Sequence, residues 1–123
     1  MLHEVIYNLL STVSANVFPG VAEQEISPPF IVHTRVRTDP TYSKDGNKDT
    51  DFISYRVACY GVTMHDAKTL STKVKTALDD YSGTGDGSYI VQIRLLNEED
   101  GYDEESGYFF TIQLYRIIER PLT

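Results

Sequence analysis

The sequence contains one cysteine, no tryptophan and no long apolar run. A single thiol excludes an internal disulfide, so packing alone must hold the fold together. Cys59 lies among apolar residues, and we interpret it as a buried, unreactive thiol. The segment from Leu2 to Val13 is apolar on one face only and carries His3 and Glu4, unlike a signal peptide or a membrane span. We therefore expect a protein without membrane contact that assembles in the cytoplasm.

Basic residues are also scarce, since 11 Lys and Arg stand against 18 Asp and Glu, a formal net charge of −7. Nucleic-acid binding relies on clustered Lys and Arg, so this balance argues against a protein that grips DNA. The 123 residues, 41% of them hydrophobic, are typical of one globular domain with its own core. We expect a single domain over residues 1–123.

Two segments have helical periodicity. The first lies at the start of the chain and ends before Pro19-Gly20; its apolar residues fall on one face. The second, roughly 64 to 80, begins at Thr63 and Asp66, which resemble a capping box. The apolar positions are Leu2, Val5, Ile6, Leu9, Leu10 and Val13 in the first segment, and Ala67, Leu70, Val74, Ala77, Leu78 and Tyr81 in the second.

Four segments have the alternation and β-branched or aromatic content of strands: 30–37, 52–60, 89–96 and 108–118. A polar, turn-forming segment, 38–51, separates the first two, and an acidic segment, 97–107, separates the last two. The order α-β-β-α-β-β predicts an α+β domain. In it, an antiparallel sheet of about four strands carries two helices on one face.

The strand 52–60 is apolar on both faces. Ile53, Tyr55, Val57 and Cys59 lie on one side, and Phe52, Ala58 and Tyr60 surround Arg56 on the other. A strand of this kind lies between a layer of helices and a second surface. We interpret the second surface as that of a neighbouring subunit.

No motif for catalysis or metal binding is convincing. The glycines of 83–87 follow a helix, whereas a phosphate-binding loop must open one. In the acidic segment that starts at Asp100, Tyr102 and Glu105 stand where an EF-hand needs a ligand and a glycine. The histidines, His3, His33 and His65, are scattered, and Cys59 with His33 is too few ligands for zinc. We predict no metal, no cofactor and no enzymatic activity.

Tyrosine is abundant, with nine residues. Its ring is apolar and its hydroxyl polar, so tyrosine suits surfaces that a partner covers, although covering a small core also explains many of them. The residues that we predict at a subunit or partner interface are Phe52, Tyr55, Tyr60, Tyr42 and Tyr115.

Several short motifs, in this order and with these gaps, resemble the tail-completion, or tail terminator, family of long-tailed bacteriophages. They are Val17-Phe18-Pro19-Gly20, Pro29-Phe30-Ile31-Val32 and Val57-Ala58-Cys59-Tyr60, followed by the helix with Ala67, Leu70, Val74 and Ala77-Leu78. The resemblance covers roughly residues 2 to 80, with compatible strands to about 118. The segments 38–51 and 97–107 have no counterpart in it.

The resemblance implies a structural virion protein of a siphovirus or prophage. Such a subunit forms a ring, typically a hexamer, that caps the tail tube and joins it to the head connector in the neck of the virion, with DNA only as passing cargo. Under this reading we expect the acidic hairpin to face the lumen, where it repels phosphate, or to contact a partner. Its acids are Glu98, Glu99, Asp100, Asp103, Glu104 and Glu105.

Two other classes stay open at this point. A small acidic inhibitor of the immunity type, covering a basic partner surface, fits the charge and the lack of catalytic residues equally well. A small enzyme on a ferredoxin-like sheet fits the order of elements, but no group of residues in the sequence suggests its active site.

Overall fold

The computed structural model describes residues 2–13, 16–20, 29–42, 48–85 and 88–121. Within these residues, two helices and six strands follow one another in the order α1, β1, β2, β3, α2, β4, β5, β6. Their bounds are α1 Leu2–Ser11, β1 Val17–Pro19, β2 Phe30–Tyr42, β3 Lys48–Gly61, α2 Met64–Leu78, β4 Gly83–Gly85, β5 Ser88–Asp103 and β6 Tyr108–Pro121.

Both helices occur where the periodicity predicts them. In α1, Ile6 and Leu10 are fully buried. The Thr63 hydroxyl accepts a hydrogen bond from the Asp66 N–H at 3.1 Å, which confirms the predicted cap of α2. The buried stripe of α2 consists of Ala67, Leu70, Ser71, Val74 and Leu78.

The strands form one sheet in the order β1-β2-β3-β6-β5-β4. The four long strands, β2, β3, β6 and β5, are antiparallel neighbours, as predicted. Two three-residue strands extend the sheet at its edges: β4 pairs antiparallel with β5, whereas β1 pairs parallel with β2. The prediction of about four strands is therefore correct for the long strands and misses both short edge strands.

Gly20 follows β1 with a φ of 78° and donates its N–H to the carbonyl of His33 at 2.8 Å. Glycine adopts this left-handed conformation without strain, so Pro19-Gly20 turns the chain away after three residues of parallel pairing. The predicted irregular connector, 18–29, thus begins with strand residues. Residues 21–28 lie outside the described part of the chain.

The prediction of a long loop over 38–51 is wrong. β2 continues to Tyr42 and β3 begins at Lys48, with bulges between Arg35 and Arg37 and between Pro40 and Tyr42. Past His33, no described strand pairs with the side of β2 away from β3, so Pro40 lies in an edge segment, where proline is tolerated. Thr41 further ties the two strands, since its hydroxyl donates to the Thr50 carbonyl at 2.7 Å.

The acidic segment is also largely strand. β5 continues through Glu98, Glu99 and Asp100 to Asp103, in register with β6 as far as the pair Asp103–Tyr108. Only 104–107 form the turn. The hairpin is therefore a β-ladder, and four of its six acids (Glu98, Glu99, Asp100 and Asp103) have fixed positions on the two faces of that ladder.

The core lies between the helices and one face of the sheet. Both helices pack on this face, as predicted; in β3 the odd-numbered residues from Ile53 to Cys59 face them, and in β6 those from Thr111 to Ile117. The even-numbered residues of both strands face the other way. No described helix lies on that second face, which we call the open face.

Candidate subunit interface

The open face is apolar over much of its area although no described element covers it. On the two central strands it carries Phe52, Ala58 and Tyr60 of β3, with Phe110, Ile112, Leu114 and Ile118 of β6. All except the buried Ala58 are half-buried. Contiguous apolar surface of this kind on a soluble protein marks a contact site.

Aromatic rings cluster at one end of the open face. The rings of Phe30 and Tyr60 stack with centroids 4.7 Å apart. Phe18 and Tyr108 approach Phe30 edge-on at 6.4 and 6.2 Å, and Phe110 lies 6.0 Å from Tyr60. Side chains locked against one another in this way lose little conformational entropy when a partner covers them.

Arginines cross the middle of the open face. Arg94 of β5 and Arg116 of β6 are direct cross-strand partners, and Arg56 of β3 lies one diagonal step from Arg116. All three side chains are exposed. The ion pairs found among the described residues do not include them. Arg37 of β2 lies opposite Ser54, in the same cross-strand row as Arg116, and pairs with Asp39 at 2.9 Å. We call Arg56, Arg94 and Arg116 the arginine band.

The acidic hairpin is fastened to α2 by a lysine. The Nζ of Lys68 lies 3.0 Å from Glu98 Oε1 and 2.8 Å from Asp100 Oδ2. The amide of Gln113 donates to Glu98 Oε2 at 2.9 Å, and this hydrogen bond, followed by that of Lys68, lowers the pKa of Glu98. Lys68, followed by the Thr111 hydroxyl, lowers the pKa of Asp100. Two of the six acids therefore hold the hairpin in place.

The turn of the hairpin is preorganised by a third acid. The Asp103 carboxylate accepts from the Glu105 N–H at 3.1 Å and from the Ser106 hydroxyl at 2.9 Å. Gly107, with a φ of 78°, completes the turn. Glu104 and Glu105 lie exposed at the tip, and Glu99 is exposed on the open face of β5. These three carboxylates point to solvent.

Two of the predicted interface residues are in the core instead. Tyr55 and Tyr115 are only 2% and 1% exposed and face the helices. The Tyr55 hydroxyl lies 2.6 Å from His33 Nδ1, and Tyr115 donates to Gln113 Oε1 at 2.7 Å. Burial raises the pKa of both phenols, that of Tyr55 to about 12. Since both rings are covered and hydrogen-bonded internally, neither is open to a partner.

Of the other predicted interface residues, Phe52 and Tyr60 lie on the open face, 8 pairs apart in the register of β3 with β6. The side chain of Tyr42 lies outside the described part of the structure. The aromatic cluster also contains Phe18, Phe110 and the buried Phe30, and neither these residues nor the arginine band were among the predicted interface residues. Period-2 alternation predicts that Arg94 and Arg116 face away from the core, because Arg94 follows Ile93 and Arg116 stands between Tyr115 and Ile117. The register of β5 with β6 then brings the two arginines together.

Shallow clefts lined by described residues also occur outside the open face. One, of about 310 Å³, is lined by Pro19, Gly20, His33, Thr34, Arg35 and Tyr55. Another, of about 270 Å³, is lined by Pro29, Asp66, Thr69, Leu70 and Lys73. Within the described residues, no three His, Cys, Asp or Glu side chains converge as metal ligands would. Cys59 is buried, and burial raises the pKa of its thiol to about 12, so it is no nucleophile.

The two described helices, with 10 and 15 residues, are too short to cross a bilayer. Among the described residues, the open face and the hairpin tip are the exposed features suited to contact with another protein. Both are surfaces for protein contact rather than pockets for a small molecule.

The fold recurs in a virus-like particle. A chain of the virion of a native gene transfer agent (GTA) particle superposes with a TM-score of 0.73 at 13% identity, covering 94% of this chain and 91% of that one. At that identity the likeness shows a shared architecture. No curated protein sequence matches. The family model described as Tail completion protein gp17 matches residues 4–120. The chain therefore belongs to the tail-completion family of bacteriophage virion proteins.

Proposed function

We propose that this chain, acting as one unit over residues 1–123, is a tail terminator subunit. Copies of it form a ring, of six subunits by the family resemblance, that caps the tail tube and joins it to the head connector. The role is structural and requires neither a catalytic group nor a cofactor. It places the protein in the neck of the virion after assembly in the bacterial cytoplasm.

The observation that carries the proposal is the open face. The two central strands, β3 and β6, expose half-buried apolar side chains there, and the aromatic cluster adjoins them. In an isolated monomer these apolar side chains are exposed to water, which is unfavourable. In a ring, the neighbouring subunit covers them. Phe52 and Tyr60 are the residues of this face that we propose for the subunit contact.

The fixed hairpin fits the same role. Lys68 and Gln113 hold its base, and Asp103 holds its turn, so the hairpin is rigid before assembly. DNA passes through such a ring as cargo, and the net charge of −7 disfavours retention of its phosphates.

The direct test is the mass of the purified protein by light scattering over a concentration series, alone and with isolated tail tubes. Electron microscopy of the tube ends accompanies it. A hexamer, or a monomer that becomes a ring on tube ends, supports the proposal. A protein that stays monomeric and ignores tubes contradicts it, and a tight 1:1 complex with a basic protein favours the inhibitor class.

A further inference from the structure

The arginine band is a cluster of like charges that has no ion-pair partner among the described residues. Arg94 and Arg116 are directly opposite on adjacent strands, where side chains are neighbours, and like charges opposite one another destabilise a sheet. Both are exposed, and neither forms an ion pair with a described residue. The arrangement becomes favourable when carboxylates from another molecule lie between the guanidinium groups, since an arginine binds a carboxylate through two parallel hydrogen bonds.

We propose that the arginine band binds the acidic hairpin tip of a second copy of this chain. The tip comprises 104–107, with Glu104 and Glu105 as its exposed carboxylates. This inference deepens the proposed function, on which it rests, because it assigns the two surfaces that meet between adjacent subunits of the ring.

The contact has to be between copies. Along β5, Asp103 is nine positions after Arg94, and a strand rises about 3.3 Å per residue, so the tip lies roughly 30 Å from the band. The ladder between β5 and β6 continues up to the pair Asp103–Tyr108, which prevents the hairpin from folding back onto its own face. Band and tip of one chain therefore never meet.

Complementary surfaces at two different places on one chain produce head-to-tail contacts. Such contacts are heterologous, and they close into a ring when the rotation between neighbours allows it. A symmetric dimer instead requires one surface to match itself, and the arginine band repels a second arginine band. Charge thus selects the ring-forming mode of association and opposes the dimer.

The apolar side chains around the arginine band would add to the binding free energy of this contact. Ser54 and Leu114 are cross-strand partners of Arg116 and Arg56 on β3 and β6, and Ile112 and Ile118 lie next to them along β6. Arginines surrounded by apolar side chains are frequent at the centres of interfaces, where covering them excludes water and strengthens the ion pairs. The tip is already rigid through Asp103, so its docking costs little conformational entropy.

The test is a pair of charge reversals and their mixture. The band variant is Arg94→Glu with Arg116→Glu, and the tip variant is Glu104→Arg with Glu105→Arg. Each alone should weaken self-association, in solution or on tail tubes, by about tenfold or more. Mixed in equal amounts they should restore it, since each interface of an alternating ring again joins opposite charges. The matched control, Lys73→Glu with Lys75→Glu on exposed positions of α2, changes the net charge as the band variant does and should leave association unchanged.

The outcomes separate the two proposals. Failure of the wild-type protein to form any ring, alone or on tubes, overturns the proposed function itself. A wild-type ring that both variants also form overturns only the pairing of band and tip. Circular dichroism verifies that each variant is folded. A separate titration with duplex DNA tests whether the arginine band binds phosphates instead of carboxylates. If the wild type binds DNA and the band variant loses this binding but still self-associates, the pairing of band and tip is also overturned.

Discussion

Tyr115 donates its hydroxyl hydrogen to Gln113 Oε1 at 2.7 Å, two residues earlier on the same strand, and both side chains are buried. The amide of Gln113 in turn donates to the Ser71 carbonyl of α2 at 3.1 Å and to Glu98 of the hairpin. A chain of hydrogen bonds, buried at Tyr115 and at Ser71 and part-buried at Glu98, thus links the core, the second helix and the base of the acidic hairpin. The hairpin is consequently part of the folded body.

This chain of hydrogen bonds predicts the effect of removing one hydroxyl. Tyr115→Phe leaves Gln113 Oε1 buried without a donor, which should lower the free energy of unfolding by about 1–3 kcal/mol. Urea denaturation measures the change. Tyr89→Phe, at an exposed position, is the control and should change stability little. Self-association of Tyr115→Phe should equal that of the wild type. If the variant has normal stability but fails to associate, Tyr115 contributes to the subunit contact and not only to the core.

The fold was predictable where one pattern dominated. The residues 64–78 repeat at helical spacing behind a capping threonine, and both features appear as expected. Residues 38–42 and 48–51 were misassigned because their composition favours turns. Cross-strand pairing from Arg37 to Tyr42 outweighs this local preference, and local composition contains no information on such pairing.

The same contrast between a dominant pattern and a weak preference applies to the predicted interface residues. Tyr55 alternates in phase with Ile53, Val57 and Cys59, so its place in the core followed from the alternation. Its choice as an interface residue rested on tyrosine's general preference for interfaces, which is weaker than the phase of the strand. The arginine band depends on the register between β5 and β6, with a bulge at Leu95–Asn97, and the sequence does not reveal that register.

The link between Lys68 and the hairpin predicts a pH dependence. Glu98 and Asp100 have pKa values below the ordinary 4.5 and 3.8, so the fold favours their ionised forms. Their contribution to the free energy of unfolding is complete when the pH is above the ordinary pKa values. It is lost as the pH falls through the lowered pKa values of the folded protein. Lys68→Met should therefore be less stable than the wild type at neutral pH.

That difference in stability should vanish below the lowered pKa values, because protonated carboxyls no longer attract the ammonium group of Lys68. Urea denaturation of both proteins over a pH series measures it. Lys75→Met, on the same helix, is the control, since its Nζ forms none of the ion pairs described for Lys68. A difference between Lys68→Met and the wild type that persists unchanged in acid contradicts the electrostatic origin of the link.

Cys59 should report on global unfolding. Its side chain is fully buried, and burial raises the pKa of the thiol from 9.0 to about 12, so the native protein offers little thiolate. Labelling by a disulfide reagent at mildly alkaline pH should be on the order of a thousandfold slower in the native protein than in urea, because it requires unfolding. Rapid labelling of the native protein contradicts the buried position.

The connection between β3 and α2 should tolerate no side chain at Gly61. A Cβ there lies 2.7 Å from the Ala67 nitrogen and 2.9 Å from the Asp66 Cβ, and the backbone of the first helical turn cannot give way easily. Gly61→Ala should lower the free energy of unfolding by about 1–3 kcal/mol. Gly20→Asn is a suitable comparison, because nothing lies within 4 Å of a Cβ at Gly20 and asparagine tolerates its positive φ. Equal stability of both variants contradicts the close packing at Gly61.

The open face can be tested without its charges. Ile112 is half-buried at the centre of this face, between Ala58 of β3 and Glu99 of β5. In Ile112→Lys, the long side chain can extend into solvent from the isolated subunit, so the fold should persist. A covered interface instead leaves the ammonium group without water, so self-association should weaken strongly. Thr72→Lys, exposed on α2, adds the same charge on the other layer. Light scattering measures association, and thermal unfolding measures stability. If only Ile112→Lys loses association and its stability stays near normal, the subunit contact is on the open face. If both variants associate equally, the open face is not the subunit contact.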